Sequence, residues 1–307
     1  MSSWASRVTT KVLGWLKKHL YRFNPFTSGD GVSEARQTAL AELALLCFEL
    51  SQNPRAETKV LALAIRGRQV LEAAYRQPEL HKFIHRGPEQ AFNGHLLMWL
   101  ALPRPVAESM VPKEEFQAVF DHRAIAHAGW SPMRLLELRY FLDYSGLHHN
   151  LPTPRLLLEE ALDLSSLDPY EMSVTAIYDL THVIFYATHF GRWPGAILTG
   201  TEREHLAALI LVLQDRLINQ KHWDLVAEII LSRRCLCLPD EQLATEPAWY
   251  ALAQAQEEEG AYNAQLLQQL LVAQGMELEL AADYVFLRCY HPCLVTAMAG
   301  LFPEPLI

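Results

Sequence analysis

From Ser33 onward, apolar residues return at intervals of three and four, the period of a helix with one buried face. Ser33 stands ahead of a long apolar run and has the chemistry of an N-cap. Leu40 to Leu50 is strongly apolar, Pro54 interrupts it, and the pattern resumes from Lys59 to Tyr75. Further helices are predicted over 89–101, 113–127, 131–145, 154–163, 170–189, 202–219, 222–236, 246–258, 262–274, 278–290 and 293–301. Between them fall Pro103 and Pro105, Pro132, Gly146, Pro152 and Pro154, Pro169, Gly191 with Pro194 and Gly195, Pro239, Gly260, Gly275 and Pro292. No run of period-two strands occurs, so the expected fold class is all-α, which argues against a parallel-sheet enzyme.

The helices differ in character. The 131–145, 170–189, 222–236 and 278–301 segments are apolar around most of the cylinder, with a few polar residues on one stripe. The 154–163, 202–219 and 246–274 segments have a solvated face. That alternation predicts antiparallel helical hairpins in an inner and an outer layer, closed as an α/α toroid or left open as a solenoid. No motif repeats at a fixed period.

Ahead of this lies a short amphipathic stretch, residues 1–23. Trp4, Val8, Val12, Trp15, Leu16 and Leu20 lie at helical spacing, with Arg7, Lys11, Lys17, Lys18 and Arg22 among them. It reads as a helix docked on the rest of the chain through its tryptophans, or as one making peripheral contact with a membrane or a partner. FNPFTSGDG, residues 23–31, reads as a linker. The expected organisation is an N-terminal helix and linker over 1–30 and one α-helical domain over 31–307.

A formal net charge of −9 leaves no basic excess to neutralise phosphates, which argues against nucleic acid as a partner. No stretch reaches the ~20 apolar residues of a spanning helix, and the start of the chain is a poor secretory signal. A cytoplasmic protein is the simplest expectation. Five cysteines, an odd number at low density, do not make a disulfide scaffold. Cys235/Cys237 and Cys289/Cys293, the latter flanking His291, have spacings unusual for structural zinc, and the default reading, ahead of metal-bound cysteines, is small buried hydrophobes.

The stretch that stands out chemically is YDLTHVIFYATHFG, residues 178–191. On a helix, Tyr178, His182, Phe185 and His189 share one face, opposite Ile177, Leu180, Val183, Ile184 and Ala187. A helix apolar behind and aromatic in front is expected to look into a cavity or a polar core. His182 and His189 are ~10 Å apart by helix rise, too far to share one metal ion. They suit two imidazoles lining one space, able to act as acid and base, or hydrogen-bonded histidines of a core. His291 precedes Pro292 and is expected at a break between two buried helices. His148 and His149 in SGLHHN, His127 in HAGW, the stripe Trp130, Arg134, Glu137, Phe141 and Tyr144, and Asp224, Glu228 and Cys235 on the 222–236 helix are secondary candidates. No dinucleotide fingerprint, phosphate-binding loop, H-E-x-x-H, G-x-S-x-G or paired Glu-x-x-His motif is present.

WLKKHLYRFNPF near the start, YDLTHVIFYATHFG in the middle, WDLVAEIILSRRCLCL after it and CYHPCLVTAMAGL at the end resemble an uncharacterised, mainly actinobacterial family of helical proteins. That family is a domain of unknown function with similarly placed tryptophan, LTH-x-x-FY, LVAE and YH elements, and the resemblance covers most of the chain. An acidic residue often stands there at the position of His189, so the resemblance carries over Tyr178, His182 and His291. The family's company implies a biosynthetic role, such as peptide or natural-product tailoring, without an established activity.

Two functions from different classes follow. One is a cavity enzyme whose Tyr178, His182, His189 and His291, with Asp224 or Glu228, do acid/base work on a peptide or small molecule or hold a divalent metal. The other is a non-catalytic helical scaffold binding a peptide or partner protein in a groove, with dispensable histidines. Cofactor and metal stay open on the sequence.

Overall fold

The computed structural model describes residues 2–26, 33–52, 58–82, 84–120, 125, 129–164, 166–239 and 241–302. Every named element among them is helical, so the protein is all-α. Helices of two turns or more are Ser3–His19 (α1), Glu34–Ser51 (α2), Thr58–Tyr75 (α3), Pro132–Ser145 (α4), Pro154–Ala161 (α5), Val174–Ala187 (α6), Gly200–Gln220 (α7), Trp223–Leu236 (α8), Glu241–Ala255 (α9), Ala264–Ala273 (α10) and Leu278–Leu301 (α11). No helix among the described residues is long and apolar enough to cross a membrane.

The packing divides the chain into two compact units. One is Met1–His19 with Asp163–Ile307, and the other is Leu20–Leu162. The helix α1 buries Val8, Val12, Trp15 and Leu16 against α9 and α11 and so belongs to the first unit. Trp15 stacks on Phe286 at 6.1 Å, and Gln256 Nε2 donates to the Val8 carbonyl at 3.2 Å. The approach is tight enough that a Cβ built on Gly260 falls 2.3 Å from the Lys11 carbonyl oxygen. The apolar stripe of α1 is therefore spent inside the protein, packed on α9 and α11.

In the first unit α8 is central, packed against α6, α7, α9 and α11. Its apolar residues are buried on every side, which accounts for the run LVAEIIL. Ser173 caps α6 by accepting from the Ala176 amide at 3.1 Å. At the other end Thr188 turns its hydroxyl onto the Ile184 carbonyl at 2.7 Å, and His189, Phe190 and Gly191 follow with left-handed φ of 51°, 53° and 80°. The helix predicted over 170–189 thus closes at Ala187.

The 278–290 and 293–301 helices are one continuous helix, α11, with Pro292 inside it. Proline removes one ladder donor and frees the carbonyl four residues back. That carbonyl belongs to Arg288, an exposed residue, so water can take the lost bond.

In the second unit α2 packs against α3 and against Leu97–Ala101. Its Glu49 is buried and accepts from Tyr140 Oη at 2.7 Å. The helix predicted over 89–101 is Pro88–Ala91, a π-helical turn Phe92–Leu96 and Leu97–Ala101 in succession. Of the segment predicted over 113–127, Lys113–Val119 is helical. His127 lies outside the described residues.

Candidate functional site

The first unit brings α6, α8 and α11 to one carboxylate. Glu228 sits at the middle of α8 and is 1% exposed at its side chain. A buried carboxylate is costly unless polar groups replace its water. Thr181 Oγ1 donates to Glu228 Oε2, and the same hydroxyl lies 2.9 Å from the Tyr178 carbonyl. Glu228 Oε1 makes no well-formed hydrogen bond, but two imidazole nitrogens face it. His291 Nε2 is 3.4 Å away and His182 Nε2 is 3.9 Å away. These two histidines come from α11 and α6, far apart in the chain, and they converge on a residue of the helix between them.

The exposure of the three groups is graded. The carboxylate is sealed, whereas the His182 and His291 side chains are 34% and 29% exposed. A carboxylate facing Nε2 orients an imidazole and leaves Nδ1 for another partner, the support used by acid/base histidines. One turn toward the N-terminus of α8, Asp224 accepts a hydrogen bond from Tyr178 Oη. The spacings match: Tyr178 and His182 are four apart on α6, and Asp224 and Glu228 are four apart on α8. Two polar layers therefore cross between the helices, Tyr178–Asp224 in one and Thr181–Glu228–His182 with His291 in the other. The His182 ring also lies against Phe185 at 5.8 Å and Tyr186 at 6.3 Å.

Of the four residues singled out in the sequence, the structure gathers Tyr178, His182 and His291 around this carboxylate pair. His189 does not continue their face. It stands two residues beyond the end of α6 in a left-handed conformation, its ring edge-on to Trp193 at 5.0 Å. The shared stripe stops at Phe185, because the Thr188 cap closes the helix before a fourth position is reached. His291 lies inside a helix, not at a break. Its reach to Glu228 comes from the packing of α11 on α8, not from freed dihedrals.

The secondary candidates divide between the two units. Asp224 and Glu228 belong to the cluster, and Glu228 is its hub. The stripe of α4 lies in the other unit, where Arg134 pairs with Glu137 and with Asn93 and lies over the ring of Phe92. His149 Nε2 pairs with Asp143 Oδ1 at 2.9 Å while its Nδ1 accepts from the Leu151 amide, so it fixes its own loop. All five cysteines are free thiols. Cys289 and Cys293 lie against the carbonyls of Tyr262 and Gly260, and burial pushes Cys289 up to about 12. Burial likewise pushes Cys47 up to about 12 and Cys293 well above an ordinary thiol. Among the described residues no three His, Cys, Asp or Glu side chains are arranged to hold a metal ion.

Two residues that sequence reasoning passed over stand out. Thr181 had no signal beyond its place in the LTH triplet. His95 is fully buried in the π-helical turn of the second unit, 5.9 Å from the ring of Tyr75. Its surroundings AFNGHLLMWL give no hint of it.

No curated protein and no solved structure matches the chain. Residues 9–301 match the family described as Domain of unknown function (DUF6895), and the chain belongs to that family.

Proposed function

We propose that the cluster of Glu228, His182 and His291, with the Tyr178–Asp224 pair beside it, is an acid/base site acting on a peptide or small molecule, in a bacterial biosynthetic pathway of the cytoplasm. One observation carries the reading: two imidazoles from distant helices bring Nε2 to 3.4 and 3.9 Å from one oxygen of a buried carboxylate while staying about a third exposed. Glu228 is the positioning residue. His182 and His291 are the groups within reach of a bound molecule, one to take a proton at Nδ1 and the other to supply one. Tyr178 is oriented by Asp224 to offer its phenol as a further hydrogen-bonding group. His189, outside the cluster, has no part in this scheme.

The test is a thermal-shift screen of short peptides and small polar molecules against the wild type, Glu228→Gln and the double variant His182→Ala/His291→Ala. The expected result is a set of compounds that raise the melting temperature of the wild type and of neither variant. Compounds that stabilise all three proteins equally overturn the acid/base reading in favour of a helical scaffold with dispensable histidines. Circular dichroism of each variant separates lost binding from lost folding.

A further inference from the structure

The formal charge of this protein is not spread along it. Between Arg234 and Arg288 there is no Lys, Arg or His, and residues 235–287 hold nine of the 35 acids. That stretch carries a net −9, the charge of the whole chain, and the remainder balances 26 acids with 26 bases. Its C-terminal part is the hairpin of α10 and the first turns of α11, which pack on each other within the first unit.

This hairpin is also apolar where it meets water. None of the ten residues of α10 is buried, and Leu266 and Leu270, four apart on one face, are 58% and 51% exposed. Leu278 is 64% exposed at the start of α11, followed by the exposed Leu280 and Tyr284. Gly275, with φ +90°, makes the turn between them, its amide donating to the Val272 carbonyl at 2.9 Å. Glu277 and Glu279 alternate with the leucines of ELEL, and Glu258 stands exposed ahead of α10. Cations from outside the stretch reach it: Lys18 pairs with Glu259 at 2.9 Å, Lys11 Nζ donates to the Glu257 carbonyl at 3.3 Å, and Arg288 lies over the Tyr284 ring. A helix of Leu and Gln with no charge of its own, left uncovered and rimmed by carboxylates, is a surface shaped for a partner.

The charge decides among occupants. A second copy would bring an equally acidic rim against this one, and like charges facing each other cost affinity. An anionic lipid surface repels it for the same reason. We propose that the α10–α11 hairpin is a docking surface for a basic amphipathic helix of a partner protein, whose leucine-type face covers Leu266 and Leu270 of α10 while its Lys and Arg meet the acidic rim. The apolar spacing of four residues on α10 suits anchors at successive turns of a facing helix. The surface does not depend on the Glu228 cluster.

The probe is a fluorescent Leu/Lys peptide of roughly five helical turns, with its leucines on one face. Its binding is measured by anisotropy beside a same-composition scramble that spreads the leucines around the helix, and a Leu/Glu peptide of the same pattern. The expected order is binding of the amphipathic Leu/Lys peptide alone, weakened about tenfold in Leu266→Gln/Leu270→Gln and again in Glu277→Gln/Glu279→Gln. Both variants change exposed residues, and unchanged circular dichroism and melting temperature verify that they fold. Equal binding of the scramble overturns the proposal, as does wild-type affinity in the leucine variant. Two further results overturn it by naming another occupant. One is sedimentation of the wild type as a dimer that Leu266→Gln/Leu270→Gln makes monomeric. The other is binding to phosphatidylcholine/phosphatidylglycerol vesicles that the same variant abolishes.

Discussion

Replacing His95 by Leu should remove about one proton from the acid sensitivity of the second unit. His95 is fully buried, and neither ring nitrogen makes a well-formed hydrogen bond. Burial is the main cause that pushes its pKa from the ordinary 6.5 down to about 3. The positive charges of His81 and His85 add to this, and the Leu80 carbonyl opposes it. The folded protein therefore keeps His95 neutral across the acidic range, while the unfolded chain takes up a proton as the pH falls through 6.5. Stability is complete above that value and is lost below it, down to the folded pKa. Each pH unit costs about 1.4 kcal/mol, so from about pH 6.5 to about pH 5 this single residue removes ~2 kcal/mol. His95→Leu keeps a comparable volume, deletes the titration and removes two poorly satisfied nitrogens. At neutral pH it should be no less stable than the wild type. Hydrogen exchange of a peptide covering residues 88–101, corrected for the intrinsic pH dependence of exchange, reads the local stability of the π-helical turn in both proteins. The difference between the two pH slopes isolates His95, because the other histidines contribute to both. Parallel slopes would refute the argument, since they would mean that the folded protein accepts a proton at His95 about as readily as the unfolded chain.

Two other predictions test the packing of the first unit. Gly260→Ala places a methyl 2.3 Å from the Lys11 carbonyl oxygen at a φ of +102°, and should cost about 1–3 kcal/mol by overpacking, with backbone strain added. Gly195→Ala, where a Cβ meets nothing within 4 Å, should stay within about 0.5 kcal/mol of the wild type. Urea unfolding compares the two, and equal midpoints would mean that α1 does not seat where it is described. Among the thiols, Cys237 is the one not fully buried, so iodoacetamide in the folded state should label it first. Peptide mass spectrometry locates the label, and early modification of Cys289 or Cys293 would contradict their raised pKa values.

How much of this arrangement the sequence declares depends on how local the deciding interaction is. That Tyr178 and His182 share a face follows from helix geometry, because residues four apart on any helix lie one above the other. Whether His189 joins them depended on where α6 stops. Its end is marked by three successive residues of left-handed φ, His189, Phe190 and Gly191, of which Gly191 alone is a breaker by residue type. Pro292 misled in the opposite direction. It has the chemistry of a stop, but the carbonyl it frees belongs to an exposed residue, so α11 runs through it. Glu228 is a different case. Asp224 and Glu228 at a spacing of four on an apolar helix marked a stripe, but nothing in that stripe says which helices lie beside it.

The role of Glu228 therefore comes from topology. A helix surrounded by four others presents each of its sides to a different neighbour, so one side chain on it can be reached from two directions at once. Glu228 stands where α6 and α11 both approach α8, and that placement makes partners of His182 and His291. An apolar residue there would pack equally well or better, because a buried carboxylate loses more hydration than its contacts return unless charged or polar groups converge on it. The arrangement is thus costly for a core and useful for a site. Glu228→Leu weighs the two directly: if the cluster serves chemistry or binding, the variant should hold or gain stability while losing every compound that depends on His182 and His291. A variant that loses stability and keeps those compounds would make Glu228 a structural residue.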